Sequence, residues 1–84
     1  MRYRLSQHAR DEMVRRAIAE TFVDQVINAP QQVVVERAGR KSYQSKIDFG
    51  GGRIFLLRAI IVDDIDPAVV VTVYKTSKIN KYWQ

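Results

Sequence analysis

Cysteine is absent from this chain. That excludes disulfide stapling and thiolate metal sites, and it permits an intracellular setting. With a single histidine, at position 8, a zinc site built on imidazoles is also disfavoured. No run approaches the roughly 18 apolar residues of a membrane span. Met1 leads straight into Arg2 and Arg4 without an apolar signal core. Neither a membrane nor export is expected, and a cytoplasmic location is. The chain has no internal repeat, low-complexity run or linker, and no P-loop, dinucleotide fingerprint, nucleophile elbow or EF-hand. Its one glycine run, Gly50-Gly51-Gly52, reads as a turn, so no cofactor is implied.

What is present is a short, basic chain of 84 residues, 46% hydrophobic. A domain of this size buries only ~60% of the surface its unfolded chain exposes, so one core and one domain over residues 1–84 are expected. Fourteen Lys and Arg against nine Asp and Glu leave a formal net charge of +5. Neutralising phosphates releases condensed counterions, which makes a polyanion a natural partner. The alternative is that the charge only maintains solubility.

Periodicity places the elements. Tyr3 to Leu5 is a short edge strand, and Ser6 is an N-cap for a helix from about Gln7 to Ala17. At 100° per residue Ala9, Met13 and Ala17 share a core-facing side, and His8, Glu12 and Arg15 share an outward one. The pairs Phe22/Val26 and Val23/Ile27 mark a second amphipathic helix from Glu20 to Asn28, ended by Pro30. Val33 to Val35 is a strand, followed by a turn at Ala38-Gly39-Arg40. Between Lys41 and Phe49, Tyr43, Ile47 and Phe49 alternate with Ser42, Gln44, Lys46 and Asp48, as in a half-exposed strand. Arg53 to Val62 is the most apolar segment and belongs near the middle of a sheet. After turn chemistry at residues 63–67, Ala68 to Lys75 is the last strand, and Lys78 to Gln84 is a basic, aromatic tail. Helices first and strands after give an α+β fold: two helices on one face of an antiparallel sheet of four strands, or five if the first joins. The other sheet face is expected to be open.

Alternation isolates an anomaly on that face. Arg58 falls with Ile54, Leu56 and Ile60, where a guanidinium is costly to bury unless it points into a solvated groove or meets a carboxylate. In the last strand Val69, Val71 and Val73 alternate with Val70, Thr72, Tyr74 and Thr76, so Thr72 and Tyr74 are its polar positions. An ordinary cross-strand pairing of Arg58 explains the pattern as well as a ligand site does. A helix N-terminus disfavours imidazolium, which suits His8 to the role of general base with Glu12 one turn on. The plainer reading is a surface histidine beside a helical carboxylate. RNA cleavage without metal needs a base for the 2′-hydroxyl, an acid for the leaving oxygen and cations for the phosphate. His8, Tyr74, and the pair Arg16 and Arg58 are candidates for those roles.

His8-Ala9, then Met13, then Arg16-Ala17-Ile18, followed by a helix ending at Pro30, resemble a small bacterial family catalogued as domain of unknown function 4258. In that family a helix with His-Ala and a later Met-x-x-Arg-Gly-Ile precedes hairpins and a closing strand with Thr-Val-Tyr, matched here by Thr72-Val73-Tyr74. Glu12 stands where the family often has arginine, and Ala17 replaces the usual glycine. The family is similar in layout to the RelE-like toxins, small metal-free ribonucleases. The resemblance implies a fold of that kind and implicates His8, Arg16, Thr72 and Tyr74.

The expected function is therefore a metal-independent endoribonuclease toxin acting on cellular RNA, with an acidic antitoxin as protein partner. The alternative is a non-catalytic nucleic-acid or protein-binding module. Arg15 joins the first helix's cations as a phosphate contact. Arg37, Arg40, Lys41, Lys75, Lys78 and Lys81 supply further contacts, with Tyr82 and Trp83 stacking on bases.

Overall fold

The computed structural model describes all residues, Met1–Gln84. The elements run β1 (Tyr3–Leu5), α1 (Gln7–Arg15), α2 (Glu20–Asn28), β2 (Gln32–Val35), β3 (Lys41–Asp48), β4 (Ile54–Val62), β5 (Ala68–Thr76) and α3 (Ile79–Tyr82). The fold is α+β, with α1 and α2 on one face of a five-stranded sheet of order β1-β5-β4-β3-β2. β4, the most apolar strand, is central. None of the helices is long and apolar enough to cross a membrane.

The sheet is mixed, a correction to the antiparallel arrangement expected. β1 pairs parallel with β5, Tyr3 opposite Ala68 and Leu5 opposite Val70, whereas the other pairings are antiparallel. A parallel pair needs a long crossover connection, and β1 reaches β5 only after both helices and three strands. Ser6 fixes the entry to α1. Its Oγ accepts from the Ala9 amide at 3.0 Å and donates to the Val71 carbonyl at 2.8 Å, tying the helix start to β5.

α1 stops at Arg15, two residues before the expected end. The Ile18 amide bonds back to the Met13 carbonyl at 2.8 Å and the Ala17 amide to that of Val14 at 3.2 Å. These are the two bonds of a Schellman cap, which requires a left-handed residue between them. Ala17 adopts φ 53° to provide it, and Ile18 then turns into the core.

Val23, Val26 and Ile27 of α2 join Ala9 and Met13 of α1 against Tyr43, Ile47, Leu57, Ala59, Ile61, Val70 and Val73 of the sheet. Val70 is a second correction. The β4–β5 register passes from Ile60 opposite Thr72 to Ile61 opposite Val70, so Val71 is an extra, bulged residue. Beyond the bulge the parity inverts. Val70 and Val73 both lie on the helix side, fully buried, and Val70 does not share a face with Thr72 and Tyr74.

A third correction concerns the face away from the helices. It is not open, because α3 and the residues after it fold across it. Gln44 donates to the Tyr82 carbonyl at 3.2 Å, and the Gln32 amide group brackets Gln84, donating to its carbonyl at 2.8 Å and accepting from its amide at 3.2 Å. The polar positions Ser42 and Gln44 are consequently buried, and β3 is not half-exposed along its length.

Candidate functional site

Beneath that tail lies a polar cluster built on one row of the sheet. Gln44 of β3, Arg58 of β4 and Tyr74 of β5 are in register across three strands. Glu36 comes from the turn after β2, where its amide donates to the Arg40 carbonyl at 2.9 Å, and Ala38 and Gly39, both at positive φ, reverse the chain. Ser42, near the start of β3, stands between Glu36 and Arg58.

Arg58 is only 5% exposed. A guanidinium out of water must find partners for its N–H groups, and this one does. Nε donates to Gln44 Oε1 at 2.8 Å, and Nη2 donates to both Glu36 Oε1 and Ser42 Oγ at 2.8 Å. Nη1 donates to the Tyr74 hydroxyl. Ser42 Oγ in turn donates to Glu36 Oε1 at 2.6 Å. The Tyr82 ring closes over the guanidinium, its centroid 4.3 Å from Cζ. Every buried side-chain polar atom in the molecule has a partner. The carboxylate expected for a buried arginine is thus Glu36.

The electrostatics separate the two proton-carrying groups. The Ser42 hydrogen bond, with the contact to Arg58, holds the Glu36 carboxyl below the ordinary glutamate value. Burial pushes the Tyr74 phenol up against the opposing pull of Arg58. At neutral pH the cluster therefore pairs an ionised carboxylate with a protonated phenol, one on each side of a guanidinium. Both hydrogen bonds to Glu36 fall on Oε1. Its Oε2 takes none, and the side chain is 36% exposed.

The structure groups only part of the expected site. Arg58, Tyr74 and Thr72 share the face, Thr72 half-buried two residues before Tyr74. His8 is on α1 and Arg16 is the C-cap residue at its end, on the other side of the sheet. His8 is exposed and hydrogen-bonds to none of the cluster, and Glu12 does not orient it. Instead Glu12 Oε2 accepts from Arg15 Nη2 and Arg16 Nε, both at 2.7 Å, so these two cations are ion-paired. Lys41 is also paired, to Asp63 at 3.2 Å. Arg37 and Arg40 are exposed in the β2–β3 turn. At the far end of the sheet Lys75 lies 4.5 Å from the Phe49 ring, Lys46 4.1 Å from Trp83 and Lys81 5.3 Å from Tyr82, with Lys78 exposed before α3.

A cavity of about 270 Å³ lies on the helix side, lined by Leu5, Met13, Val14 and Ile18 with Arg10 and Glu20. It falls below the ~300–1,000 Å³ of small-molecule sites and holds no proton-transfer pair like that of the cluster. No group of three or more His, Asp or Glu side chains converges as a metal cage.

The model of the family described as domain of unknown function (DUF4258) matches residues 5–75. The chain belongs to that family. No curated protein and no solved structure matches it. The DUF4258 match contains Glu36, Ser42, Gln44, Arg58, Thr72 and Tyr74, and it stops before the tail that covers them. Glu36, Ser42 and Gln44 were not singled out from sequence as members of a site, and Tyr82 was read only as a base-stacking residue of the tail. For Ser42 and Gln44 the signal was available, since they alternate onto the face of Arg58. Glu36 sits outside the periodic strands and offered only its position before a turn.

Proposed function

We propose that the protein is a metal-independent endoribonuclease, the toxin of a toxin–antitoxin pair acting on cellular RNA. Its reacting groups are Glu36, Arg58 and Tyr74. The observation that carries this reading is the meeting of an ionised carboxylate, a guanidinium and a protonated phenol on one sheet face. Side chains alone then supply the base, the cation and the acid that phosphodiester cleavage requires.

Glu36 Oε2 takes the proton from a ribose 2′-hydroxyl, and the 2′-oxygen bonds to phosphorus. The bond from phosphorus to the 5′-oxygen breaks, and Tyr74 protonates that oxygen as it leaves. Arg58 offsets the charge growing on the non-bridging oxygens, and solvent returns the proton from Glu36 to Tyr74. The products carry a 2′,3′-cyclic phosphate and a 5′-hydroxyl. Fold alone does not fix chemistry. The RelE-like layout is therefore an analogy only, and the assignment rests on this cluster. The net charge of +5 suits both RNA and an acidic antitoxin.

The test is cleavage of a defined RNA in EDTA by wild type, Glu36→Gln and His8→Ala, with the new ends identified. Glu36→Gln keeps an acceptor for Arg58 and Ser42 but removes the base, so the rate falls by ~10²–10⁴. His8→Ala cuts at nearly the wild-type rate. Loss of cleavage in His8→Ala with Glu36→Gln unaffected moves the site to α1.

A second reading is supported by the cation–aromatic contacts of Lys46 with Trp83 and Lys75 with Phe49. They suit a non-catalytic module that binds single strands by phosphate contact and base stacking. Tight RNA binding without cleavage by any variant selects it.

A further inference from the structure

The tail from Ile79 to Gln84 crosses the face on which the Glu36–Arg58–Tyr74 cluster lies. Tyr82 lies on the guanidinium at 4.3 Å and meets the Tyr74 ring edge-on at 6.2 Å between centroids. A phosphate cannot reach Arg58 from that side while the ring is there. The fastening is light by comparison. α3 has four residues, no side-chain cap and no buried residue. A helix far shorter than ~12–15 residues has little stability of its own. Besides the Tyr82 ring contacts, what holds the tail is a few further contacts. Gln44 reaches the Tyr82 carbonyl, Gln32 brackets the Gln84 backbone, and Lys46 lies 4.1 Å from the Trp83 ring. Gln32 and Gln44 are themselves joined at 2.8 Å, so releasing Gln84 leaves both amides with a mutual partner.

We infer that residues 79–84 form an autoinhibitory cover over the cluster, which RNA must displace and which a mutation at Gln32 loosens. This rests on the ribonuclease reading of the same site. The cover holds the resting protein in a state where Arg58 is satisfied internally, and substrate phosphate replaces the Tyr82 contact when the tail lifts.

Trp83 is the only tryptophan, so its fluorescence reports on the tail alone. The probe is a short oligonucleotide with every 2′-hydroxyl replaced by hydrogen, which binds without being cut. On titration into the full chain, acrylamide quenching of Trp83 should rise by about twofold as the tail leaves the sheet. In Gln32→Ala, quenching should start high, and the probe should bind about tenfold more tightly than to wild type. A chain ending at Lys78 should match that gain, and Gln32→Ala keeps the test decisive if the truncated chain does not fold. Trp83 becoming more protected on binding would overturn the cover, because the tail would then be closing on the nucleic acid. Equal affinity of wild type and Gln32→Ala would overturn it too. The ribose counterpart of the probe separates the two claims. Tighter binding by Gln32→Ala with no cleavage leaves the cover standing and ends the ribonuclease reading. Cleavage at equal rates by wild type and Gln32→Ala does the reverse.

Discussion

Arg58 is held by four side-chain hydrogen bonds and is itself almost wholly screened from solvent. Replacing it with alanine leaves Gln44, Ser42 and Tyr74 short of a partner, and thermal or urea unfolding should record a loss of ~1–3 kcal/mol. Glu36→Gln should change stability far less, since its amide oxygen can replace Oε1. That contrast distinguishes catalytic loss from unfolding. The pH–rate profile tests the same pair. The proposed mechanism needs Glu36 ionised and Tyr74 protonated, so the rate should be flat through neutrality. It should fall on the acid side only below the ordinary glutamate value of 4.5, and on the alkaline side only above the ordinary phenol value of 10.0. An acid limb near pH ~6.5 would indicate a histidine base instead. Arg58 was legible as an anomaly because alternation put a charge in an apolar strand. Its partner was not, since Glu36 lies in a turn, where no period assigns a face.

α1 ends in a cap whose left-handed position is filled by Ala17 at φ 53°. An alanine is strained there and glycine is not, so Ala17→Gly should stabilise the protein by about 1 kcal/mol in a denaturant titration. At the β4–β5 loop, Asp63 Oδ2 accepts from the Tyr43 hydroxyl at 2.7 Å and from Lys41 Nζ at 3.2 Å. The tyrosine hydrogen bond, then the lysine, lowers the Asp63 carboxyl, and burial with the Asp63 contact raises the Tyr43 phenol to about 12. For Asp63 the folded state holds its proton less tightly than the unfolded chain. Its contribution is present above the unfolded value and disappears as pH falls through the folded one. Tyr43 works the other way, contributing fully below the unfolded phenol value and losing that contribution as pH rises through about 12. A melting series of Asp63→Asn against wild type should show the variant less sensitive to acid. At this scale α2 was read from sequence with its observed bounds, because four-residue spacing and Pro30 define it. The parallel pairing of β1 and the bulge at Val71 were not, since neither leaves a mark on local periodicity.

The whole molecule carries a formal net charge of +5. Binding of single-stranded RNA that neutralises about four phosphates should weaken ~50-fold on going from about 50 to about 200 mM salt. Affinity indifferent to salt would point away from phosphate. Charge and the α+β layout could be read from composition and element order, whereas the cover could not, because residues 79–84 lack any period that predicts a docking face. The most direct measurement of the central claim is cleavage of one defined RNA in EDTA by wild type, Gln32→Ala and Glu36→Gln, each first shown to be folded. The account predicts 2′,3′-cyclic phosphate and 5′-hydroxyl ends from wild type, faster cutting by Gln32→Ala and almost none by Glu36→Gln. Undiminished cutting by Glu36→Gln, or intact RNA with both wild type and Gln32→Ala, would contradict it.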